Sequence, residues 1–213
     1  NRERLLATLF GFGVPAVHVS TAGVLAAYGA GRATATVLDM GHGVTHVLPV
    51  YEGYLLAHAV ARLDVAGDAL TRYLVRLLTE RGHYLSDRLE HLQLAQRIKE
   101  ELGYVAPDAD SAWADCGEAG YELPDGSELR IGSERFRCLE PLFRPSLLGM
   151  EVGGVPELVR DCIEACAVDT RRELYGAVVL SGGTSLARGL AQRLRSELTE
   201  LTAASPGGEG GEG

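Results

Sequence analysis

The sequence predicts an α/β fold in which a helical insertion separates two units of strand and glycine-rich loop. Three observations point there. Thr34 to Val50 reads as strand, glycine loop and strand, and Val178 to Thr184 repeats the strand-to-glycine pattern. Between them the apolar residues change from strand alternation to helical spacing. In the first unit, Thr36, Val37 and Leu38 favour a buried strand, and Gly41 and Gly43 favour a tight turn. Val44, His46, Leu48 and Val50 share one face of the following strand, and Thr45 and Val47 share the other. A strand ending in Asp39, then Met40-Gly41-His42-Gly43, then another strand suits a phosphate site. Its glycines let backbone N–H groups approach a polyphosphate, and its carboxylate can hold the waters of a bound Mg²⁺. Taken alone, the stretch also reads as an ordinary hairpin with a glycine-rich turn.

The elements follow in order. Arg2 to Phe10 spaces Leu5, Leu6 and Leu9 as a helix, and the chain begins inside it without a capping residue, which suggests that the start is no natural domain boundary. Ala16 to Ser20 reads as a short strand, and Thr21 to Tyr28 as a helix closed by Gly29 and Gly31. After the central hairpin, Glu52-Gly53 turns the chain and Tyr54 to Leu63 is expected to return as a third antiparallel strand. From Asp64 the stripe Leu70, Tyr73, Leu74, Leu77 and Leu78 marks a helix ending at Gly82. Asp87 and Glu90 resemble a capping box for a second helix with Leu94, Ile98, Leu102 and Val105 as its apolar positions. Ala106 to Gly120 is polar and irregular, with Trp113 and Cys116 read as loop residues, and Tyr121 to Ile131 is a hairpin around Pro124-Asp125-Gly126. Arg135 to Leu148 is a short helix and loop broken by Pro141 and Pro145, and Pro156 opens a helix reaching about Ala167. Val178 to Leu180 is a strand leading through Ser181-Gly182-Gly183-Thr184 into a helix whose first amides face a nucleotide. That loop, too, reads on its own as a plain strand-to-helix turn. The last helix aligns Leu190, Leu194, Leu198 and Leu201, and the Gly- and Glu-rich residues 203–213 are expected to be disordered.

Composition narrows the function classes. At 213 residues the chain can bury a sizeable core as one large or two small domains. A net charge of −9 excludes non-specific nucleic-acid binding, which needs a positive field. No long apolar run supports a membrane span, and residues 1–20 do not read as a signal peptide. Cys116, Cys138, Cys162 and Cys166 lack metal-ligand spacing; Cys162 and Cys166 read as helix core, which fits a reducing intracellular compartment. Lys99 is the single lysine, and every other basic residue is arginine. Asp39, His42 and His46 lack a fourth ligand for a metal site, and Ser181 lacks the surroundings of a hydrolase nucleophile.

Taken together, these stretches resemble actin and the actin-related proteins. The resemblance is carried by Gly41-x-Gly43-Val44-Thr45-His46 with Pro49-x-Tyr51-Glu52-Gly53-Tyr54, by Arg62-Leu63-Asp64 with Ala66-Gly67, and by Ile98-Lys99-Glu100. It continues through Tyr121-Glu122-Leu123-Pro124-Asp125-Gly126, Glu134-Arg135-Phe136-Arg137-Cys138 and Leu180-Ser181-Gly182-Gly183-Thr184, nearly the whole chain. The resemblance implies the actin-like ATPase (ribonuclease H-like) fold, two lobes with ATP and Mg²⁺ in the cleft between them. Residues 1–30 would end the small lobe and supply its crossing helix. Residues 31–66 and 151–202 would form the inner subdomain of the large lobe, and 67–150 its outer helical subdomain. The family's first phosphate hairpin with its lysine, and its C-terminal segment, are expected to lie outside this sequence.

Carried over residue by residue, the resemblance implies nucleotide contacts from Asp39, Gly41, His42, Gly43, Val44, Gly67, Lys99, Glu100, Gly182, Gly183, Thr184 and Leu186, with Asp39 toward the metal. The departures are informative. His42 stands where actin has an aspartate and Met40 where it has a serine, and imidazole is a poor Mg²⁺ ligand. Ala22 replaces the glutamine that positions the attacking water, and phosphoryl transfer depends largely on positioning. Leu186 and Ala187 replace methionine and tyrosine on the adenine side. The resemblance therefore implies an actin-like structural protein of the cytoplasm and cytoskeleton, with the nucleus as the other setting. It would act through cytoskeletal or actin-binding partners, actin among them, with weak or no ATP hydrolysis. The alternative is an ATP-switched binding module that holds nucleotide without efficient turnover. A sugar-kinase-like enzyme of the wider superfamily finds no sugar-binding motif here.

Overall fold

The computed structural model describes residues 1–83, 85–86, 88–108, 112, 116–124 and 126–203. Its centre is a five-stranded mixed sheet. β1 (Ala35–Met40) pairs antiparallel with β2 (Thr45–Tyr51), which in turn pairs with β3 (Tyr54–Leu55) and β4 (Ala61–Leu63). On its other side β1 pairs in parallel with β7 (Val178–Ser181), so Asp39 lies between His46 and Ser181. Both faces are covered. On one, α2 (Ala22–Gly29) packs Val24 and Ala27 against Ala35, Val37 and Val50. Gly23 makes that approach possible, because a methyl group there would meet the Leu48 side chain. On the other face lies the large core of Leu38, Met40 and Val47 with α3 (Gly67–Glu80), α6 (Val155–Glu164) and α8 (Leu190–Ala203). α1 (Arg2–Gly11) buries none of its residues.

The chain between β4 and α6 forms the helical insertion. α3 buries Leu70, Tyr73, Leu74, Leu77 and Leu78, and α4 (Leu89–Leu102) buries Ala95 and Ile98 against the same core. The hairpin β5 (Ala119–Glu122) and β6 (Glu128–Ile131) and the short α5 (Glu134–Arg137) complete it. Two ion-pair hubs tie these parts together. Arg81 joins the end of α3 to the buried Glu134 at 2.9 Å and also pairs with Glu118. Arg193 on α8 reaches Glu140 at 3.5 Å, pairs with Glu197, donates to the Ala106 carbonyl at 2.8 Å and stacks over Phe143. Burial alone would raise the Glu134 carboxyl, but backbone N–H donors at Glu134 and Gly132, and then Arg81, outweigh it and hold it below the usual carboxylate range.

Several expectations need correction. Ala16 to Ser20 has no regular secondary structure, with Val17 and Val19 half-buried and Ala16 and His18 exposed, and pairs with no described strand. The single strand expected over Tyr54 to Leu63 is interrupted by a 3₁₀ turn at Ala57–Ala59. Pro49 explains the break: its carbonyl accepts the Leu56 N–H at 2.9 Å, but it has no N–H to return to the ladder. α4 starts after Arg88 with no side-chain cap, and Asp87 lies outside the described residues, as do Trp113, Asp125 and residues 204–213. α6 stops at Glu164 instead of about Ala167, which leaves Cys166 buried just beyond it, and an unexpected helix α7 (Val168–Gly176) leads into β7. No described helix is long and apolar enough to cross a membrane.

Two outcomes test this account. Arg193→Met strips Glu140 of a buried counter-charge and should cost roughly 3 kcal/mol, which a thermal melt reads as a midpoint about 6–12 °C lower. Glu134 is held below its unfolded value, so its contribution is present at neutral pH and is lost as pH falls through the acid range. Acid unfolding of Glu134→Gln should therefore begin to approach the parent as pH falls past the ordinary carboxylate range, about pH 4, and meet it only once pH has fallen through the lowered Glu134 pKa. Parallel curves at all pH values would contradict it.

Candidate functional site

The two glycine loops and the first turn of α3 meet at one backbone oxygen. The Gly41 carbonyl accepts the Gly67 N–H at 3.1 Å and the Thr184 hydroxyl at 2.9 Å. Next to it, the His42 carbonyl accepts the Asp68 N–H at 2.7 Å, so the first amides of α3 hold the loop. The loop itself is closed by the Gly41 N–H on the Val44 carbonyl at 3.1 Å. The Gly67 carbonyl extends the network, accepting Lys99 Nζ at 2.6 Å and the Thr71 hydroxyl at 2.8 Å, while Lys99 also donates to Thr71 Oγ1 at 2.8 Å. Burial holds the Lys99 ammonium below the usual lysine range. Three segments far apart in sequence are thereby locked to one another through backbone groups.

The second loop is shaped by Gly182. Its φ of 85° and ψ of 158° are open only to glycine, and a methyl group there would collide with the Met40 carbonyl and crowd Asp39 Oδ1. A single 3₁₀ turn, Gly183–Leu186, follows, and α8 begins only at Leu190. The expected helix N-terminus at this loop is thus absent: Gly189, at φ 84° against the Val105 carbonyl, separates turn from helix. The loop still presents amides. Among the described residues the N–H groups of His42, Gly43, Gly183 and Thr184 have no internal acceptor, so four donors remain for an anion.

The sequence-derived site residues fall into two groups. Lys99, Glu100, Gly183, Thr184 and Leu186 line a cleft of about 360 Å³, a size suited to a small-molecule ligand. Asp39, Gly41, His42, Gly43, Val44, Gly67 and Gly182 lie outside that lining, in the strand end and loop junction behind it. Within the cleft, Glu100 accepts the Gln96 side-chain amide at 2.8 Å and Leu186 is 83% exposed. The lining also includes Gly103, Leu139 and Arg188, which sequence reasoning missed. Arg188 donates to the Glu101 carbonyl at 3.0 Å, and its own carbonyl accepts the Val105 N–H at 2.7 Å.

The donor set takes a polyphosphate more readily than a bare metal. Asp39 is half-buried beside Gly182, and His42 sits 3.8 Å from Asp68 in an exposed pair. No group of three His, Cys, Asp or Glu gathers among the described residues. One carboxylate still fits Mg²⁺ carried by a nucleotide, since such an ion draws its other ligands from phosphate and water. A nucleotide would then be held by Lys99, Thr184 and the loop amides. Burial pushes the Cys138 and Cys162 thiols up to about 12, so both stay protonated and neither serves as a nucleophile. Gly182→Ala combines backbone strain with a steric clash and should lower stability by roughly 2–5 kcal/mol in urea unfolding. An unchanged midpoint would refute the loop geometry.

A comparison with protein-family models places this architecture. The actin family model matches residues 1–208, nearly the whole length of the 213-residue sequence. Its fold is ATPase-related, and its members generally bind ATP with Mg²⁺. With a mixed sheet and an α/β order of elements in agreement, the chain belongs to the actin family.

Proposed function

We propose that the chain is an actin-like structural protein that acts through protein contacts and hydrolyses ATP weakly or not at all. Residues 31–66 and 151–202 act as the inner subdomain and 67–150 as the outer one, with the Gly41 junction between them. The carrying observation is the chemistry of two side chains, one opening α2 and one in the β1–β2 loop. Ala22, the first residue of α2, offers only a methyl group, and the His42 imidazole leans toward Asp68. The methyl group cannot orient a water for attack on a phosphate, and an imidazole is a poor holder of the Mg²⁺ water shell. The cytoplasm and cytoskeleton, or the nucleus, are the compartments in which this reading places the protein. Its partners are cytoskeletal or actin-binding proteins, with actin among them.

A second reading, the nucleotide-switched binding module, is favoured by the Lys99 network. A half-buried ammonium costs desolvation, and it is held in the cleft by two short hydrogen bonds. Such a group is suited to meeting a ligand's negative charge, and nucleotide bound there would bias the α3–α4 unit against the sheet.

Thermal unfolding in millimolar Mg-ATP separates the readings. Ligand at 100 times its dissociation constant adds roughly 2.7 kcal/mol, a rise of about 5–10 °C for this length. Such a rise, with phosphate release no faster than in buffer, supports the switch; no rise leaves a nucleotide-free scaffold. Phosphate release well above the buffer rate sinks the non-hydrolytic reading itself. Lys99→Met should melt no lower than the parent without nucleotide, because the buried charge is gone and the Gly67 carbonyl keeps Thr71. Any ATP-dependent rise should shrink in keeping with affinity at least about tenfold weaker.

A further inference from the structure

The two glycine loops, residues 39–44 and 181–187, carry one basic side chain between them, His42. Its surroundings single it out. Nε2 stands 3.8 Å from Asp68 Oδ1, too far for a hydrogen bond, so a neutral ring gains little there and a charged one gains an ion-pair partner. Asp68 is itself held in place. Its Oδ2 accepts Arg72 Nε at 2.9 Å, and its N–H donates to the His42 carbonyl at 2.7 Å. The first turn of α3 thus anchors the backbone of His42 and also faces its ring. The ring is 68% exposed, so as a stabilising contact the pair is worth little. What it sets is the charge at the loop.

That charge matters because the other positive groups nearby are engaged. The amides of Gly67 and Asp68, which open α3, donate to the Gly41 and His42 carbonyls instead of to a ligand. Lys99 Nζ donates to the Gly67 carbonyl and to Thr71 Oγ1. Four loop N–H groups remain for an anion, and one of them belongs to His42 itself. The charged groups around the loop are few. Asp39 ends β1, His46 lies opposite it on β2, and Arg62, paired with Asp64, lies opposite His46 on β4. Histidine is the side chain whose charge ordinarily changes between about pH 5 and 8. His46 is the other one here, on a strand and outside the loop.

We propose that His42 is a pH switch on phosphate binding: its imidazolium, backed by Asp68, holds a phosphate group on the loop amides, and its neutral ring releases it. The inference rests on the nucleotide-holding reading of the cleft and adds the condition under which that reading operates. Its sign follows from linkage. A phosphate on the loop and the Asp68 carboxylate both favour the charged ring, so binding takes up a proton. Affinity therefore rises as pH falls through the histidine range. The shared chemistry is a phosphate group, carried by a nucleotide or by inorganic polyphosphate.

The test is the ligand-induced rise in melting midpoint of the 213-residue chain at about pH 6 and about pH 8, each read against the ligand-free chain at the same pH. ATP and inorganic tripolyphosphate, both with Mg²⁺, are the probes. Affinity should be about tenfold higher at the lower pH. His42→Gln should bind weakly at both; it leaves the titration of the ligand itself in place, so its difference from the parent isolates the ring. His42→Arg, charged at either pH, should bind tightly at both. Calorimetry in buffers of different ionisation enthalpy should show more proton uptake by the parent than by His42→Gln. A rise with both probes assigns the site to phosphate alone, and a rise with ATP only assigns it to a nucleotide that also uses the Lys99 cleft. An equal rise at both pH values overturns the proposal and leaves the nucleotide-holding reading standing. A pH dependence that survives in His42→Gln, or is lost in His46→Gln, places the titration elsewhere and also overturns it. No rise with either probe at either pH ends that reading and this inference together.

Discussion

The Gly41 carbonyl is the constraint on which the site depends. One oxygen accepts both the first amide of α3 and the Thr184 hydroxyl. It thereby fixes the distance between the β1–β2 loop, the β7–α8 loop and the helical insertion. No side chain of the β1–β2 loop takes part in this junction, so its geometry tolerates His42 while it forbids a side chain at Gly182. Identity at the loop tip is free to drift in a way that identity behind it is not. The frame around the Gly41 carbonyl is therefore set by backbone groups and Thr184, independently of the side chain that the loop tip carries.

Around the apolar core, arginines tie the peripheral segments of the molecule together. Arg193 pairs with a buried carboxylate, donates to a carbonyl and stacks on an aromatic face at once, and Arg81 spans two carboxylates. A planar fork with five donors can do this, whereas an ammonium point charge cannot. A composition with one lysine and many arginines is therefore reflected in the fold, in hubs that join α8 and α3 to the loops around Glu140 and Glu134.

Much of this was legible from the amino acids, and the misses have physical causes. α3 and α8 announce themselves because their leucines recur at helical spacing and all face one core. α7 escaped notice because VDTRRELYG buries only Thr170 and Leu174, too few positions to make a stripe. The break between β3 and β4 was written in Pro49, but on the neighbouring strand, where a local reading of residues 54–63 does not look. In the site, glycines and Thr184 were visible because their types are unusual after a strand. Leu139 and Arg188 were not, since only the tertiary fold brings them to Lys99, whereas Gly103 caps the same helix one turn on. The junction at Gly41 is a backbone carbonyl, which no side-chain pattern can reveal.

Lys99 is also the only side-chain amine in the sequence. Any acyl or isopeptide mark on such an amine has one address in these 213 residues, inside the cleft and engaged with Gly67 and Thr71. Attachment there must first pull the nitrogen from both partners. Tagging of a side-chain amine within these 213 residues is consequently tied to the state of the cleft, and an occupied or closed cleft is a protected one.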